Sequence, residues 1–505
     1  MTQTHAGRFL LALMASVATL LPAFPQTQAV PEPLPAETTP QQILALQGKG
    51  QEALPILRKA LHDPSLEVRS AAIQVLVKEG GKSVVPDLAA MLKDSEDAVA
   101  IAAVQGLLEI GGPEVLDPMR AALAHPSPKV RLQTLSYIGD AQDARFIPEI
   151  GRLLSDEIPD VRRLAVGSLR AIGGPLTFPF QMAATGDRDP EVAAAAVLAL
   201  QQLGDARAVE RIARLADTKV PALRRALAFA LGSLADPAGQ AELIQRFAAD
   251  PEAAVRAELA AGLRQPSRAE TLPMLDRLAS DPQILVRRMA LVGLKANPAP
   301  GAADVLERLL GDEKDTIRAA AVMALGARRA TERLPRIKLL KGDASPSVRA
   351  SVASTIGDLG KPEDLVALMD LLADKVPMVR SAVATAAGKI GTAAALPLLD
   401  AALKDTDATV RLETVNALSQ LSLPEALPLL RRAAKDLDSR VKAQAITALG
   451  TRKDASAVPL LREALRSPLE ATRRAAKLAL EAIGVETTPE PKPAPPAPSA
   501  EPAKR

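Results

Sequence analysis

Carboxylates and guanidinium groups recur along this 505-residue chain at one fixed spacing. Asp63, Asp94, Asp156, Asp187, Asp250, Asp281, Asp312, Asp343, Asp374, Asp405 and Asp436 each stand six residues before a position that is Arg in nearly every case. A carboxylate beside a cation can do acid–base chemistry, or it can form a charge-assisted, bidentate hydrogen bond. Catalysis needs one special place, whereas this pair repeats along the whole chain. Recurrence therefore marks the pairs as structural.

Other chemistry has little to work with. His5, His62 and His125 are the only histidines, and there is no Cys. Disulfides, thiolate catalysis and Cys-ligated metals are excluded, and paired-histidine catalysis or a His-based metal site has almost no ligands. The sequence shows no phosphate-binding Gly loop, hydrolase elbow or Ca²⁺ loop. The expectation is a protein that is not an enzyme and has neither metal nor cofactor.

The elements that carry the pairs repeat every 31 residues. The marker falls at Arg69, Ala100, Arg131, Arg162, Ala193, Arg224, Arg256, Arg287, Arg318, Arg349, Arg380, Arg411, Lys442 and Arg473, with one 32-residue step from Arg224 to Arg256. A period of this length means stacked supersecondary units, each packing only on its neighbours. Within one unit, Leu396, Leu399 and Leu403 lie on one face of a first helix. Lys404-Asp405-Thr406-Asp407 breaks it. Val410, Thr414, Val415, Leu418 and Leu421 mark the inner face of a second helix, and Val68, Ala72, Ile73 and Leu76 repeat that phase. Gly80, Gly111, Gly173, Gly204, Gly391 and Gly484, eleven residues past the marker, suit left-handed C-terminal caps. The extra residue is expected at Asp236-Pro237-Ala238-Gly239, and Asn297-Pro298-Ala299-Pro300-Gly301 is a second irregular turn.

Fourteen residues before the marker stands Pro55, Pro86, Pro148, Pro179, Pro273, Pro335, Pro397, Pro428 or Pro459. This Pro–Asp–Arg pattern resembles the HEAT repeat, in the short bacterial form similar to the repeats of phycobilisome lyases. The resemblance covers about residues 41–484. It departs at Glu210, Glu242, Asp304 and Val366 in the Pro column, and at Ala100, Ala193 and Thr218 in the others. It implies an all-α, right-handed α-solenoid of about fourteen helix-turn-helix repeats, with second helices lining the concave side. It also implies an Asp–Arg ladder between adjacent inter-helix turns, with Asp281, Arg287, Asp312, Arg318, Asp343, Arg349, Asp374, Arg380, Asp405 and Arg411 among its members. Each carboxylate would accept from N–H groups at the start of the second helix and from Arg on the next unit. Resemblance to lyases rests on the repeat alone and carries no chemistry with it.

Apolar residues make up 48% of the chain and aromatics 2%, so Ala, Leu and Val must fill the interior. A formal net charge of +3 is no nucleic-acid polycation. Residues 41–160 carry 12 Lys/Arg against 17 Asp/Glu, net −5, and residues 431–485 carry 12 against 6, net +6. Residues 1–29, with Arg8 ahead of the apolar run from Phe9 to Leu21, read as a signal peptide. Residues 30–40 read as a Pro-rich linker, followed by a short leading helix Gln41–Gln47 started by Thr39 and Pro40. Residues 485–505 read as a disordered Pro-rich tail. The expectation is an exported protein, periplasmic or secreted in a bacterium.

The row five residues past the marker is expected to face solvent from the second helices. It is mainly polar or small in the outer units, Leu478 excepted, and apolar in the centre, at Leu198, Phe229, Ala261, Val292 and Met323. Arg163, Arg225 and Arg288 lie one row over. An apolar strip edged by Arg is a candidate site for a protein or peptide partner. The expected function is a protein–protein interaction scaffold. An accessory or lyase-like activity on a bound cofactor and a purely structural envelope spacer are the alternatives.

Overall fold

The structure is a computed structural model and describes residues 38–234, 240–264 and 268–485. The leader at 1–29, most of the linker, the insertion at 236–239 and the tail beyond Val485 lie outside the described residues. Every element described is helical. The chain divides into two compact units, one up to Ala199 and one from Leu200.

Both units are built from one helix pair, repeated. The first helix is short, as in Leu54–Ala60 or Leu396–Ala402, and usually follows a single 3-10 turn. Its second residue is Pro at all nine positions where the sequence places one, from Pro55 to Pro459. Proline fits there because the first-turn N–H needs no helical partner and φ is already helical. The second helix has 11 to 15 residues, as in Ala253–Leu263 and Leu66–Gly80. Fourteen of them are described, the last being Glu470–Ile483.

The apolar face of each second helix supplies the core. The residue before the marker is buried in every unit, from Val68 to Thr472. The residue four past it is buried and apolar thirteen times, from Ile73 to Ile446, and then becomes the exposed Lys477. A polar outer face on the last helix is what closes a stack of repeats. At the other end, Ile43 of the short helix Pro40–Leu44 is buried. That helix is shorter than the expected Gln41–Gln47, and Thr39 and Gln42 cap each other's backbone N–H groups.

The Asp–Arg pairs form rungs between successive inter-helix turns. In the first unit they are Arg69–Asp94, Arg131–Asp156 and Arg162–Asp187. In the second they run unbroken through Arg224–Asp250, Arg256–Asp281, Arg287–Asp312, Arg318–Asp343, Arg349–Asp374, Arg380–Asp405 and Arg411–Asp436. Each Asp binds the Arg of the preceding repeat, not of the following one, which corrects the direction expected from sequence. Arg318 is representative. Its Nε and Nη2 grip both oxygens of Asp343 at 2.7 Å. Its Nη1 donates to the carbonyls of Asp312 and Glu313 in its own turn. The eleven aspartates also each accept the backbone N–H two residues on, as Ser345 N donates to Asp343 at 2.8 Å. That N–H belongs to the residue capping the second helix.

Helix ends are closed in two ways. Gly111, Gly173, Gly204, Gly391 and Gly484 have positive φ, as expected. Gly80 does not: its φ is −102°, and Gly81 takes the left-handed conformation one residue later. Gln142, Arg329 and Lys453 adopt positive φ at the same repeat position without being Gly. The C-cap stays extended at Asn297, Gly360 and Leu421, and at the first and last of these the next repeat sends in an arginine. Arg328 donates to Leu294, Lys295, Asn297 and Ala299 carbonyls, and Arg452 to those of Leu421 and Leu423. These guanidinium groups satisfy the orphan carbonyls of a helix terminus.

The ladder has two measurable consequences. Arg318→Ala removes both rung bonds and both turn bonds of a mostly buried pair, and is expected to cost about 1–3 kcal/mol. Chemical denaturation followed by circular dichroism checks this, and an unchanged midpoint would show that the rung adds nothing. The second concerns acid. Hydrogen bonding to Arg318 and Arg349 holds the carboxyls of Asp343 and Asp374 below the ordinary range. At Asp281, Asp405 and Asp436 burial is the largest single influence and pushes upward, but the arginine and the backbone N–H outweigh it. A depressed carboxyl contributes stability that is complete above its unfolded value of about 3.9 and is lost as pH falls through the folded value. The melting temperature should be level near neutrality and drop steeply below about pH 4; a flat profile into stronger acid would contradict the assignment.

Candidate functional site

Every residue five past the marker is exposed or half-buried, and none is buried. The helices that carry this row bury their opposite side, so the row is surface by construction. In the first unit, Leu198 is 38% exposed on the helix Pro190–Leu203. Arg163 is exposed on Pro159–Ile172 and is engaged by Asp160 one turn back at 2.8 Å.

The second unit places five of the predicted residues on three of four successive second helices, with Ala261 of the same row on the intervening Ala253–Leu263. Arg225 and Phe229 are one turn apart on Pro221–Leu234, Arg288 and Val292 one turn apart on Ile284–Ala296, and Met323 lies on Asp315–Ala327. Met323 is 60% exposed, while Phe229 and Val292 are half-buried. Arg225 and Arg288 are exposed and have no ion-pair partner among the described residues. The result is an apolar strip with two uncommitted guanidinium groups along one edge.

Sequence reasoning missed part of this surface. Leu285 is 40% exposed and Met289 is half-buried. Leu285, Arg288, Met289 and Val292 stand at i, i+3, i+4 and i+7 and share one face of their helix. Leu285 precedes the marker, so a search confined to residues after it passes over this helical turn. The same i, i+3, i+4, i+7 spacing was the available signal.

The floor beneath Phe229 is set by a close helix contact. Gly232 and Gly262 face each other between Pro221–Leu234 and Ala253–Leu263. A Cβ on Gly262 would lie 2.2 Å from the Phe229 carbonyl oxygen and 3.2 Å from the Gly232 Cα. These are backbone atoms, so relief requires moving a helix rather than a rotamer.

The strip holds no catalytic constellation. Among the described residues no group of three or more His, Asp or Glu is placed to hold a metal ion. No described helix is long and apolar enough to cross a membrane. His125 is structural. It stands where a ladder Asp would, its Nδ1 accepts from Ser127 N at 3.1 Å, and its Nε2 lies 2.9 Å from the Leu92 carbonyl. The second contact requires the Nε2–H tautomer.

Comparison with known proteins agrees with this architecture. The family pattern of HEAT repeats matches residues 42–109, 116–180, 178–264, 240–326, 333–419, 377–442 and 397–481. No curated protein matches. Among solved structures, Kap121p bound to Nup53p aligns over 88% of this chain and 55% of its own, at 13% identity and a TM-score of 0.53. Kap95p, whose binding induces the switch loops of RanGDP to adopt the GTP-bound conformation, aligns over 88% of this chain and 64% of its own, at 16% identity and a TM-score of 0.50. The chain spans less than two thirds of the length of either structure. At these identities the likeness is one of fold.

Gly262→Ala tests the floor of the strip. It should destabilise the second unit by about 1–3 kcal/mol through overpacking, with faster amide exchange in both Pro221–Leu234 and Ala253–Leu263. Unchanged exchange would mean the two helices do not approach as described.

Proposed function

Because this chain belongs to the HEAT-repeat family, we propose that it is a protein-binding scaffold, and that its contact site in the second unit is the strip of Phe229, Val292 and Met323 with Arg225 and Arg288. The observation that carries this reading is the pairing of exposed apolar side chains with two arginines that no carboxylate among the described residues engages. The ladder arginines are committed to carboxylates and turn carbonyls, whereas Arg225 and Arg288 are not. Placed on the edge of an apolar row, they match a partner segment with apolar side chains flanked by carboxylates. Burial of such a segment would remove apolar surface from water, and the arginines would orient it.

Leu198 and Arg163 of the first unit belong to the same sequence row and are proposed as further contacts. Arg163 already has Asp160, so it has less to offer an acidic partner. The reading extends to location: the leader pattern at 1–29 supports an exported protein, in a bacterial periplasm or secreted. The lyase-like and spacer alternatives draw on no side-chain cluster among the described residues, and the finer likeness to phycobilisome-lyase repeats rests on the sequence pattern alone.

Phe229→Asp combined with Met323→Asp tests the site. Met323 is exposed and Phe229 half-buried on the same surface row, so helicity by circular dichroism should be retained while capture of the partner from envelope extracts is lost. Retention of the same protein by the double variant would remove the strip from consideration. Partners found only in cytosolic extracts would overturn the export reading while leaving the scaffold reading intact.

A further inference from the structure

The ladder ends in a rung that has its cation but not its carboxylate. Lys442 occupies the marker position, and the residue 25 further on, where its Asp would stand, is Ser467. Ser467 keeps one duty of the missing Asp, accepting the N–H of Leu469 at 3.3 Å. It has no charge to offer Lys442, which is half-buried and has no ion-pair partner among the described residues. Between the two lies a crevice of about 550 Å³, lined in part by Lys435, Lys442, Glu463, Arg466, Ser467 and Thr472.

Two comparisons within the chain show what this crevice lacks. The equivalent crevice five repeats earlier, about 520 Å³, is lined by Arg287 and Arg308 together with Asp281, Asp312 and Glu313. There, carboxylates outnumber cations. At the last rung Lys435 and Lys442 line the space where no ladder carboxylate stands, and the acidic side chain lining it among the described residues is Glu463. The second comparison is Thr472. Its column is apolar in the other thirteen repeats, Val in most of them. Thr472 is fully buried, and its hydroxyl finds no hydrogen-bond partner. The carbonyl four residues back, on Pro468, lies outside the helix Glu470–Ile483 and accepts from Arg473 Nη1 at 2.7 Å. A buried hydroxyl without a partner costs free energy that a ligand can recover.

We infer that this crevice is a binding site for a carboxylate, which takes the place of the absent ladder Asp: it accepts from the Lys442 ammonium and from the Thr472 hydroxyl. The site is distinct from the strip of Phe229 and Met323 and does not depend on it. The carboxylate can come from a small organic acid or from an Asp or Glu side chain of a peptide, and the volume accommodates either.

The test is calorimetric titration of the whole protein with glutarate, with a short blocked peptide containing one Asp, and with inorganic phosphate. Saturable binding of glutarate or of the peptide supports the site, and whichever binds more tightly identifies the source. Lys442→Ala should weaken it by about tenfold or more, the loss of one charge-assisted contact. Thr472→Val restores the residue common in its column, should fold unchanged, and should weaken binding several-fold. Ser467→Asp supplies the carboxylate from within, so it should abolish binding and raise the melting temperature. Lys477→Ala, an exposed charge on the last helix, should bind as the unaltered protein does. Absence of saturable binding, undiminished binding by Ser467→Asp, or phosphate binding as tight as either carboxylate would each overturn the assignment.

Discussion

One contact sets the spacing on which everything else rests: the guanidinium of one repeat held on both oxygens of an Asp 25 residues later. A single arginine ties together three things there. It binds the carboxylate of the next turn, it satisfies two carbonyls of its own turn, and the Asp it binds caps the following second helix. Helix start, turn conformation and stacking of adjacent repeats are thereby coupled through one side chain. Desolvation offsets much of the electrostatic gain of a buried pair. The firmer contribution is geometric, because a bidentate fork accepts a carboxylate in one orientation only. Apolar contacts among Ala, Leu and Val would tolerate sliding of one helix past another, and the rung resists it.

The 32-residue step shows how tightly this holds. Arg224 must reach Asp250 across 26 residues, and the bidentate grip is lost. Nε still meets Asp250 at 3.1 Å, but Nη2 turns to Glu252 instead. The next rung, Arg256 to Asp281, is bidentate again. An added residue between the helices is therefore absorbed within a single rung, since each repeat touches only its neighbours.

Much of the fold was legible because the signals were periodic. The 31-residue step, the Pro at the second position of the first helix and the inner faces such as Val410, Thr414, Val415 and Leu418 each follow from helical geometry alone. What was not legible was which repeat each Asp answers to, because a spacing of six within a unit says nothing about partners in three dimensions. A signal for that was present. The marker departs from Arg at Ala100, Ala193 and Lys442, and the residues 25 further on are His125, Thr218 and Ser467, the three departures from Asp. Arg and Asp depart together, and at the offset that links one repeat to the next. Gly80 misled for a different reason: a Cβ there would meet Val84 at 2.1 Å, so that glycine serves packing while Gly81 makes the turn. Arg328 and Arg452 were hidden because their acceptors are backbone carbonyls, which no side-chain pattern reports.

In a chain this regular, function has to be sought where the regularity stops. A side chain that recurs in every repeat answers to the stacking of repeats and carries no information about a particular partner. The apolar row breaks the pattern in the central repeats, where the outer repeats place Gln74, Gln105, Thr385 and Thr447. Arg225 and Arg288 stand outside the ladder, exposed and without a carboxylate among the described residues, and they do so on the edge of that row. Lys442, Ser467 and Thr472 break three columns at once around one crevice. Exposing Met323 to water and burying a hydroxyl without an acceptor both work against the stability of the isolated chain. Each is relieved by something that binds. The repeat supplies a rigid frame at low sequence cost, and the departures from it mark where that frame meets other molecules.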